Sequence, residues 1–403
     1  MTHLEVKPLA YDKNDETLYG SKEVSLEEKR ILTPIVSVDT RLITRKDQLA
    51  TATKGLNEIY RKFDSDSLKE TVFNRNRQEE FNYRVETERN KIDPSKEMTI
   101  CILEYIGNNY PLGRELEFIL DTAYIFSDIV PVPTLPKITE TISEESKFDH
   151  YQIYLKEMIR FLRGNSKEKP IMGVVPRLAY GFVANLMEFY IEEGINAFYV
   201  DFEARNPTTF KQNLFPVFRA LTQHDMIDNS FIYAHNVDAG RFVKASEVVD
   251  AKDILSFGFG FDAIGRRHKE KKMPKEYWQK LNTLPNKLRL FNKNDYGYYR
   301  IVNSHRIREM YPSDSSFPIN TFSRGLSENI STLRRYERLF NTEQLGLEAF
   351  RIRQIVKDSI PTVYLNSKRY VKKKSIKLMK RFKDDLLRKR YEQKSLFDID
   401  SVL

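Results

Sequence analysis

Short apolar runs rich in β-branched and aromatic residues recur from Ile31 onward, and longer amphipathic or polar stretches separate them. Most runs are apolar on both faces, which is typical of parallel strands covered by helices. The predicted strands are Ile31–Val38, Met98–Tyr105, Asp128–Val132, Pro170–Val175, Ala197–Phe202, Phe231–Ala234 and Ile254–Phe261, with a weaker candidate at Lys287–Phe291 or Tyr296–Val302. The pattern therefore predicts an α/β fold.

Seven or eight strand–helix units favour a (β/α)8 TIM barrel over an open doubly wound sheet. The absence of a G-x-G-x-x-G or Walker-type loop after any predicted strand weakens the open-sheet alternative further. Helices are predicted at Tyr180–Glu193, which stops at Gly194, and at Leu333–Lys357 and Lys372–Arg390. The first of these helices lies between predicted strands, and the other two follow the last predicted strand.

Three regions follow from this pattern. Residues 1–30 are polar without periodicity and predict an extended or loosely packed N-terminal arm. Residues 31–360 form the predicted barrel, within which residues 63–96 read as a charged surface insertion. Residues 361–403 are predicted to form a basic helical tail.

Composition excludes several classes of protein. One cysteine rules out a disulfide framework and any cysteine-built metal site. The six histidines contain no H-x-x-x-H pair, so we expect no metal, and the lack of a G-x-S-x-G elbow argues against Ser–His–Asp catalysis. We expect no cofactor. No signal-like start and no stretch of about 20 apolar residues occurs, which predicts a soluble, cytoplasmic protein without a membrane partner.

The positive charge is concentrated near the C-terminus. The chain carries a net charge of +9, whereas residues 368–394 alone hold 13 basic and 3 acidic side chains. The rest of the chain is therefore close to neutral. A cationic helix with an apolar docking strip at Ile376, Met379, Phe382 and Leu386 suits phosphate binding. The candidate nucleic-acid contacts are Lys372, Lys373, Lys377, Lys380, Arg381 and Arg388.

Asp262 ends the run SFGFGFD, which alternates between two faces if it is extended. Gly258 and Gly260 would then share the face of Asp262 and clear space beside it. That space suits either a ligand or a bulky side chain from a neighbouring strand, and both interpretations stay open.

A cationic loop, residues 266–275, follows Asp262 and contains six basic side chains and one acidic one. Such a loop beside a carboxylate suits a polyanionic substrate, although runs of this kind are usually solvated loops without a partner. Its candidate substrate contacts are Arg266, Arg267 and His268.

Further candidates follow other predicted strands, where barrel enzymes hold their catalytic groups. They are Asp39, Glu104, Arg177, Asp201, Glu203, His235 and Asp238. Asp39 and Asp238 could simply cap the next helix. Asp201 and Glu203 share a strand face and could divide acid and base roles, unless Arg205 pairs with one of them.

Several segments, in order along the chain, resemble the tRNA-guanine transglycosylase family. They are ILTPIVSVDTRLITRKDQL, SDIVPVPTLP, PIMGVVPRLAYGFVANLMEFYIEEGINAFYVDFEARNP, KASEVVDAKDILSFGFGFDAIGRRH, RLFNKNDYGYYR and RRYERLFNTEQLGLEAFRIRQIV. The resemblance spans roughly residues 31–360 and implies a (β/α)8 barrel. It also implies that guanine in tRNA or DNA is exchanged for a 7-deazaguanine-type base.

Residue by residue, Asp262 matches the family's nucleophile, which implies attack on C1′ of a nucleoside and a covalent intermediate. Glu104, in CILEY, lies near the position of the acid/base aspartate and is one methylene longer. The family's guanine-reading carboxylate is missing from PVPT at 131–134, and Asp201 or Glu203 could replace it. Arg177 stands where the family has a pocket glutamine and glycines.

The family's zinc site, three cysteines and a histidine, is also absent. Two alternatives therefore stay open beside base exchange. One is a catalytically silent nucleic-acid-binding barrel. The other is an unrelated barrel lyase or hydrolase that acts on a small anion through Arg177 and Asp201. The sequence leaves a homodimer and a heteromer equally possible.

Overall fold

The computed structural model describes residues 4–44, 46–164, 168–240, 246–268, 288–301, 307, 312–318, 320 and 330–399. The chain is a mixed α/β protein with parallel sheets and helices. The strands are β1 (Glu5–Tyr11), β2 (Gly20–Leu26), β3 (Lys29–Leu32), β4 (Ile35–Val36), β5 (Val38–Asp39), β6 (Leu56–Phe63), β7 (Met98–Tyr105), β8 (Val130–Pro131), β9 (Ile171–Val175), β10 (Ala197–Asp201), β11 (Phe231–His235), β12 (Val248–Asp250), β13 (Ala263–Ile264), β14 (Leu288–Asn292) and β15 (Gly297–Ile301).

The helices connect the parallel strands and then cover them. They are α1 (Ser65–Phe73), α2 (Arg75–Arg89), α3 (Arg114–Phe126), α4 (Pro136–Thr139), α5 (Glu145–Arg163), α6 (Tyr180–Glu192), α7 (Pro207–Gln223), α8 (Ile330–Asp358), α9 (Pro361–Asn366) and α10 (Lys373–Ile399). Among the described residues, no helix is both long enough and apolar enough to cross a bilayer.

Two parallel sheets form the centre of the molecule. One has six strands in the order β4-β13-β11-β10-β9-β8, and the other has three in the order β5-β6-β7. The sheets meet in two places. Only Ser37 separates β4 from β5, and Thr134, beyond β8, exchanges backbone hydrogen bonds with Leu103 and Tyr105 of β7, each at 2.9 Å.

The buried strands confirm most of the apolar-run predictions. Every residue of β7 and of β9 is buried, as expected for strands covered on both faces. Helix α6 ends next to Gly194, whose φ of +67° lies in the left-handed region that glycine adopts without strain. The long helix predicted at Leu333–Lys357 is also confirmed, as part of α8.

Two predictions from the sequence are wrong. Residues 1–30 are not a loose arm, because β1, β2 and β3 form an antiparallel sheet. The run Ile31–Val38 is divided between that sheet and the two parallel sheets. The charged residues 63–96 are mostly exposed, as predicted, and form the helices α1 and α2 between β6 and β7.

The prediction of a strand at Ile254–Phe261 is wrong too. Residues Ile254–Phe259 form a 3₁₀ helix, and the strand lies just beyond it, at β13. The glycines there pack against bulky groups, since a Cβ on Gly258 would lie 2.3 Å from the Met379 sulfur. This contact fits the packing interpretation for Gly258, whereas Gly260 and Asp262 both line a cavity of about 370 Å³, so ligand space beside Asp262 stays a prediction.

Helix α10 docks through the apolar strip predicted from the sequence. Ile376, Met379, Phe382 and Leu386 are all buried, and the Phe382 ring contacts Phe218 of α7 edge-on at 5.7 Å. The tail is therefore part of the packed structure rather than an appendage.

Candidate functional site

Six side chains lie close together, four of them at or beyond the carboxyl ends of parallel strands and two farther back along β6, and we call them the strand-end cluster. They are Glu58 and Tyr60 of β6, Glu104 of β7, Asp201 of β10, His235 of β11 and His268, which follows β13. All but His268 are buried, and the side chain of His268 is only 1% exposed. Carboxyl ends of parallel strands meet at one edge, which is where α/β enzymes place their sites.

Glu58 receives hydrogen bonds from four groups on three other parts of the chain. His268 Nε2 lies 2.6 Å from Oε1, the Arg266 backbone N–H donates to Oε1 at 3.2 Å, and Ser37 Oγ donates to Oε2 at 3.1 Å. The Tyr233 hydroxyl donates to Oε2 as well. With no exposed surface, this carboxylate is satisfied entirely by protein donors.

His268 is held between Glu58 and an arginine. Arg41 Nη2 lies 2.7 Å from His268 Nδ1, and the same guanidinium bonds Asp39 through Nε and Nη2 at 3.1 and 3.0 Å. Burial alone would raise the pKa of Asp39, but Arg266 and Arg41 outweigh it and lower that pKa to about 2. Asp39 therefore anchors Arg41 as a fixed anion.

Tyr60 links the histidines to the carboxylates. Its ring stacks on the His268 ring at 4.0 Å and 9°, and lies 6.2 Å from the His235 ring. Burial raises the pKa of Tyr60, and a hydrogen bond to Glu104 and the charge of Asp201 raise it further. Glu104 and Asp201 thus lie near the same phenol.

Asp201 is oriented from two sides. The Glu203 backbone N–H donates to Asp201 Oδ1 at 2.8 Å, and Asn236 Nδ2 donates to the same oxygen at 3.0 Å. Glu203, Ala204 and Asn236 have φ values of +48°, +60° and +56°. Strained non-glycine backbone of this kind concentrates at functional sites.

A cavity of about 890 Å³ opens beside Arg177 and Glu203. Its walls include Arg177, Tyr180, Glu203, Lys211 and Phe215, from the segments after β9 and β10 and from α7. The rings of Tyr180 and Phe215 are roughly parallel, with centroids 6.5 Å apart. The volume suits an organic ligand, and the lining offers both flat apolar surface and hydrogen-bonding groups.

The structure brings Arg177 and Glu203 together, with 3.6 Å between Nη1 and Oε2, at the wall of this cavity. Asp201 and Glu203 are close in sequence, and a pair between Arg205 and one of them stays a prediction from the sequence. The paired-carboxylate interpretation therefore stays a prediction, now with a cavity beside it.

Asp262 lies elsewhere. It directly precedes β13, so that strand separates it from Arg266 and His268, and it accepts a hydrogen bond from Ile232 N at 2.9 Å. Lys22 Nζ lies 3.0 Å from its Oδ2, and both side chains are buried. The prediction that Asp262 lies at the carboxyl end of a strand is therefore wrong. The nucleophile role stays a prediction, and these surroundings argue against it.

The predicted substrate contacts after β13 take part in internal pairs. Arg266 pairs with Asp39 and Arg267 with Asp238, while His268 bonds Glu58. The remainder of the cationic loop, residues 269–275, lies outside the described residues. A role for these three side chains in binding substrate stays a prediction.

Glu58, His235 and His268 could hold a metal ion, since each offers a ligand atom and these atoms lie within 4.8 Å of one another. The sequence predicted no metal, because its histidines lack the local spacing of a metal-binding pair. His235 and His268 could still have been placed near one another, because both follow predicted strands. Glu58 and Tyr60 could not be identified in this way, because the polar and charged residues of LNEIYRKF prevented the prediction of strand β6.

Comparison with known protein families and with curated proteins finds no match for this chain. Conclusions about its function therefore rest on the arrangement of its own residues.

The predicted nucleic-acid contacts lie on α10 and just before it. Lys373, Lys377, Arg381 and Arg388 are exposed, whereas Lys372 pairs with Asp250 and Lys380 with Glu16, both at 2.5 Å. Among the described residues, these four exposed cations have no ion-pair partner.

Reversing three of these charges should weaken nucleic-acid binding. In a Lys373→Glu, Lys377→Glu, Arg381→Glu variant, the slope of log affinity against log salt should fall by about 3, since each lost phosphate contact removes roughly one released counterion. Fluorescence anisotropy with labelled tRNA and DNA at several salt concentrations measures the slope.

A matched variant carries the same charge change on exposed positions of α5, at Lys147, Lys156 and Arg160. An equal loss of slope in both variants would show a general charge effect and would contradict a binding role for α10.

Proposed function

We propose that the two parallel sheets form one closed (β/α)8 barrel. The proposal is supported by the Thr134 hydrogen bonds to β7 on one side, and by the single residue between β4 and β5 on the other. The barrel would then have eight parallel strands, if β4 and β5 count as one: β4 with β5, then β6, β7, β8, β9, β10, β11 and β13. The strand-end cluster would occupy the mouth where barrel enzymes carry their active sites.

We further propose that the chain is a transglycosylase that exchanges guanine in tRNA or DNA for a 7-deazaguanine-type base. The observation that carries this proposal is the approach of two buried carboxylates, Glu104 and Asp201, to one phenol at the strand ends. Substitution at a glycosidic carbon that proceeds through a covalent intermediate requires such a pair, one as nucleophile and one as acid and base.

In this proposal Asp201 replaces Asp262 as the nucleophile. Its carboxylate attacks C1′ of the target nucleoside, the bond from C1′ to the guanine nitrogen breaks, and the departing base takes a proton from Glu104. The incoming base then gives a proton to Glu104, attacks C1′ and expels Asp201. Two displacements restore the original configuration at C1′.

The cavity would hold the base. Guanine has donors on N1 and N2 and acceptors at O6 and N7, so Glu203 can accept from the first edge and Arg177 can donate to the second. Tyr180 and Phe215 offer flat surface against which an unstacked base can pack. A base can enter only after it leaves the nucleic-acid stack, by flipping or from a loop.

Incubation with tRNA or DNA and a labelled guanine or 7-deazaguanine base tests the proposal. We expect label in one of the two nucleic acids with wild-type protein and none when the Glu203→Gln and Arg177→Met changes are combined. Incorporation that is unaffected by this double variant would remove the cavity as the base site.

Two other outcomes favour the alternatives. Tight, salt-dependent binding without incorporation would favour a silent nucleic-acid-binding barrel. No affinity at low salt would favour an enzyme that acts on a small anion. A cytoplasmic location, and a homodimer or a heteromer as the assembly, stay predictions from the sequence.

A further inference from the structure

Glu58, His235 and His268 have the composition and the spacing of a divalent-metal site, and one contact determines whether they can act as one. That contact joins Arg41 Nη2 to His268 Nδ1 at 2.7 Å. A guanidinium has five N–H donors and no acceptor, so His268 Nδ1 must accept. His268 is therefore neutral and carries its proton on Nε2.

A neutral imidazole with its proton on Nε2 cannot bind a metal through that nitrogen. It donates to Glu58 Oε1 instead, over 2.6 Å. Metal ligation through Nε2 would require the proton to move to Nδ1, where it would face the guanidinium. Second-shell partners fix the tautomer of metal-binding histidines in the same way, usually with an acceptor rather than a donor at the other nitrogen.

The arginine is itself firmly held. Two hydrogen bonds join it to Asp39, which also pairs with Arg266, and its guanidinium lies 5.3 Å from the centre of the Tyr60 ring. The charged groups that face His268 are thus Glu58, Arg41 and Asp39, with Tyr60 and His235 as its ring neighbours.

We propose that Arg41 is a positioning residue that keeps a latent divalent-metal site closed, by fixing His268 as a neutral donor to Glu58. In the closed state, in which no metal is bound, the His268 ring stacks on the Tyr60 ring. This proposal does not depend on base exchange, because the tautomer and the metal affinity can both be measured without substrate.

The first test is the tautomer in the wild-type protein. Protein labelled with ¹⁵N in histidine should show, in two-bond ¹H–¹⁵N correlation spectra, the Nε2–H tautomer for the signal that disappears in His268→Gln. Detection of the Nδ1–H tautomer or of an imidazolium at this position would overturn the proposal, even if the protein is an active transglycosylase.

The second test opens the site. Arg41→Met removes the donor at Nδ1 and leaves Asp39 with Arg266, so we expect a folded protein whose affinity for Zn²⁺ is about 10- to 100-fold higher than that of wild type. Calorimetry with Zn²⁺ and the visible absorption of bound Co²⁺ measure the gain.

Two controls locate the metal. Arg41→Met combined with His268→Gln should lose the gain, and Arg267→Met should not show it, although that change removes a neighbouring cation. Equal Zn²⁺ affinity in wild type and Arg41→Met would contradict the proposal, and so would a gain that persists without His268.

Discussion

Replacing Asp201 with asparagine should reduce base exchange by at least about 10³-fold, because the amide cannot form the ester to C1′. Glu104→Gln should reduce it by about 10²- to 10⁴-fold, the range for loss of a general acid–base group. Asparagine retains the oxygen that accepts from Asn236 and from the Glu203 N–H, so the fold around it should persist. Initial rates of label incorporation measure both effects.

The control for this prediction is affinity. Both variants should bind nucleic acid as tightly as wild type, since neither carboxylate is part of the α10 surface. A parallel loss of binding and rate would indicate that the substitutions disturb the whole strand-end cluster rather than the reaction.

Removing the charge of Asp262 should strongly lower the free energy of unfolding, because Asp262 is one member of a buried ion pair. In Asp262→Asn, Lys22 would remain buried with two backbone carbonyls, those of Ile227 and Ser230 at 2.7 and 2.8 Å, and without its carboxylate. Breaking one side of a buried ion pair costs about 3–5 kcal/mol. Urea unfolding measures this loss as a lower free energy of unfolding.

A double variant separates the charge from the position. Burial raises the pKa of Asp262 even though Lys22 opposes this, so the pair occupies an environment that disfavours isolated charges. Lys22→Met combined with Asp262→Asn removes both charges and should recover at least half of the lost stability. A double variant as unstable as the single one would show that the ion pair is not the cause.

The sequence predicted the parallel strands well where their burial is complete. Met98–Tyr105 matches β7 residue for residue, because a mostly apolar run of this length fits a strand that is covered on both faces. Strand β6 escaped prediction because Asn57, Glu58, Arg61 and Lys62 give it a polar sequence. Tertiary contacts satisfy those groups, as the donors around Glu58 show, and no local pattern encodes such contacts.

The site was predictable only in part for the same reason. Glu104, Asp201 and Glu203 follow or end apolar runs, so their position at the strand ends could be inferred. The position of Asp262 was predicted wrongly because the sequence SFGFGFD has the alternation of a strand. In the structure, Gly260 adopts a φ of +94° and ends a 3₁₀ helix. Moving the strand by a few residues puts Asp262 at its amino end.

The identity of the nucleophile is the central claim, and trapping the covalent intermediate tests it most directly. Protein is incubated with its nucleic acid in the absence of an incoming base and is then run on a denaturing gel. We predict a shifted band for wild type and for the Lys22→Met, Asp262→Asn double variant, and no shifted band for Asp201→Asn. A band that persists in Asp201→Asn and disappears in the double variant would contradict the claim.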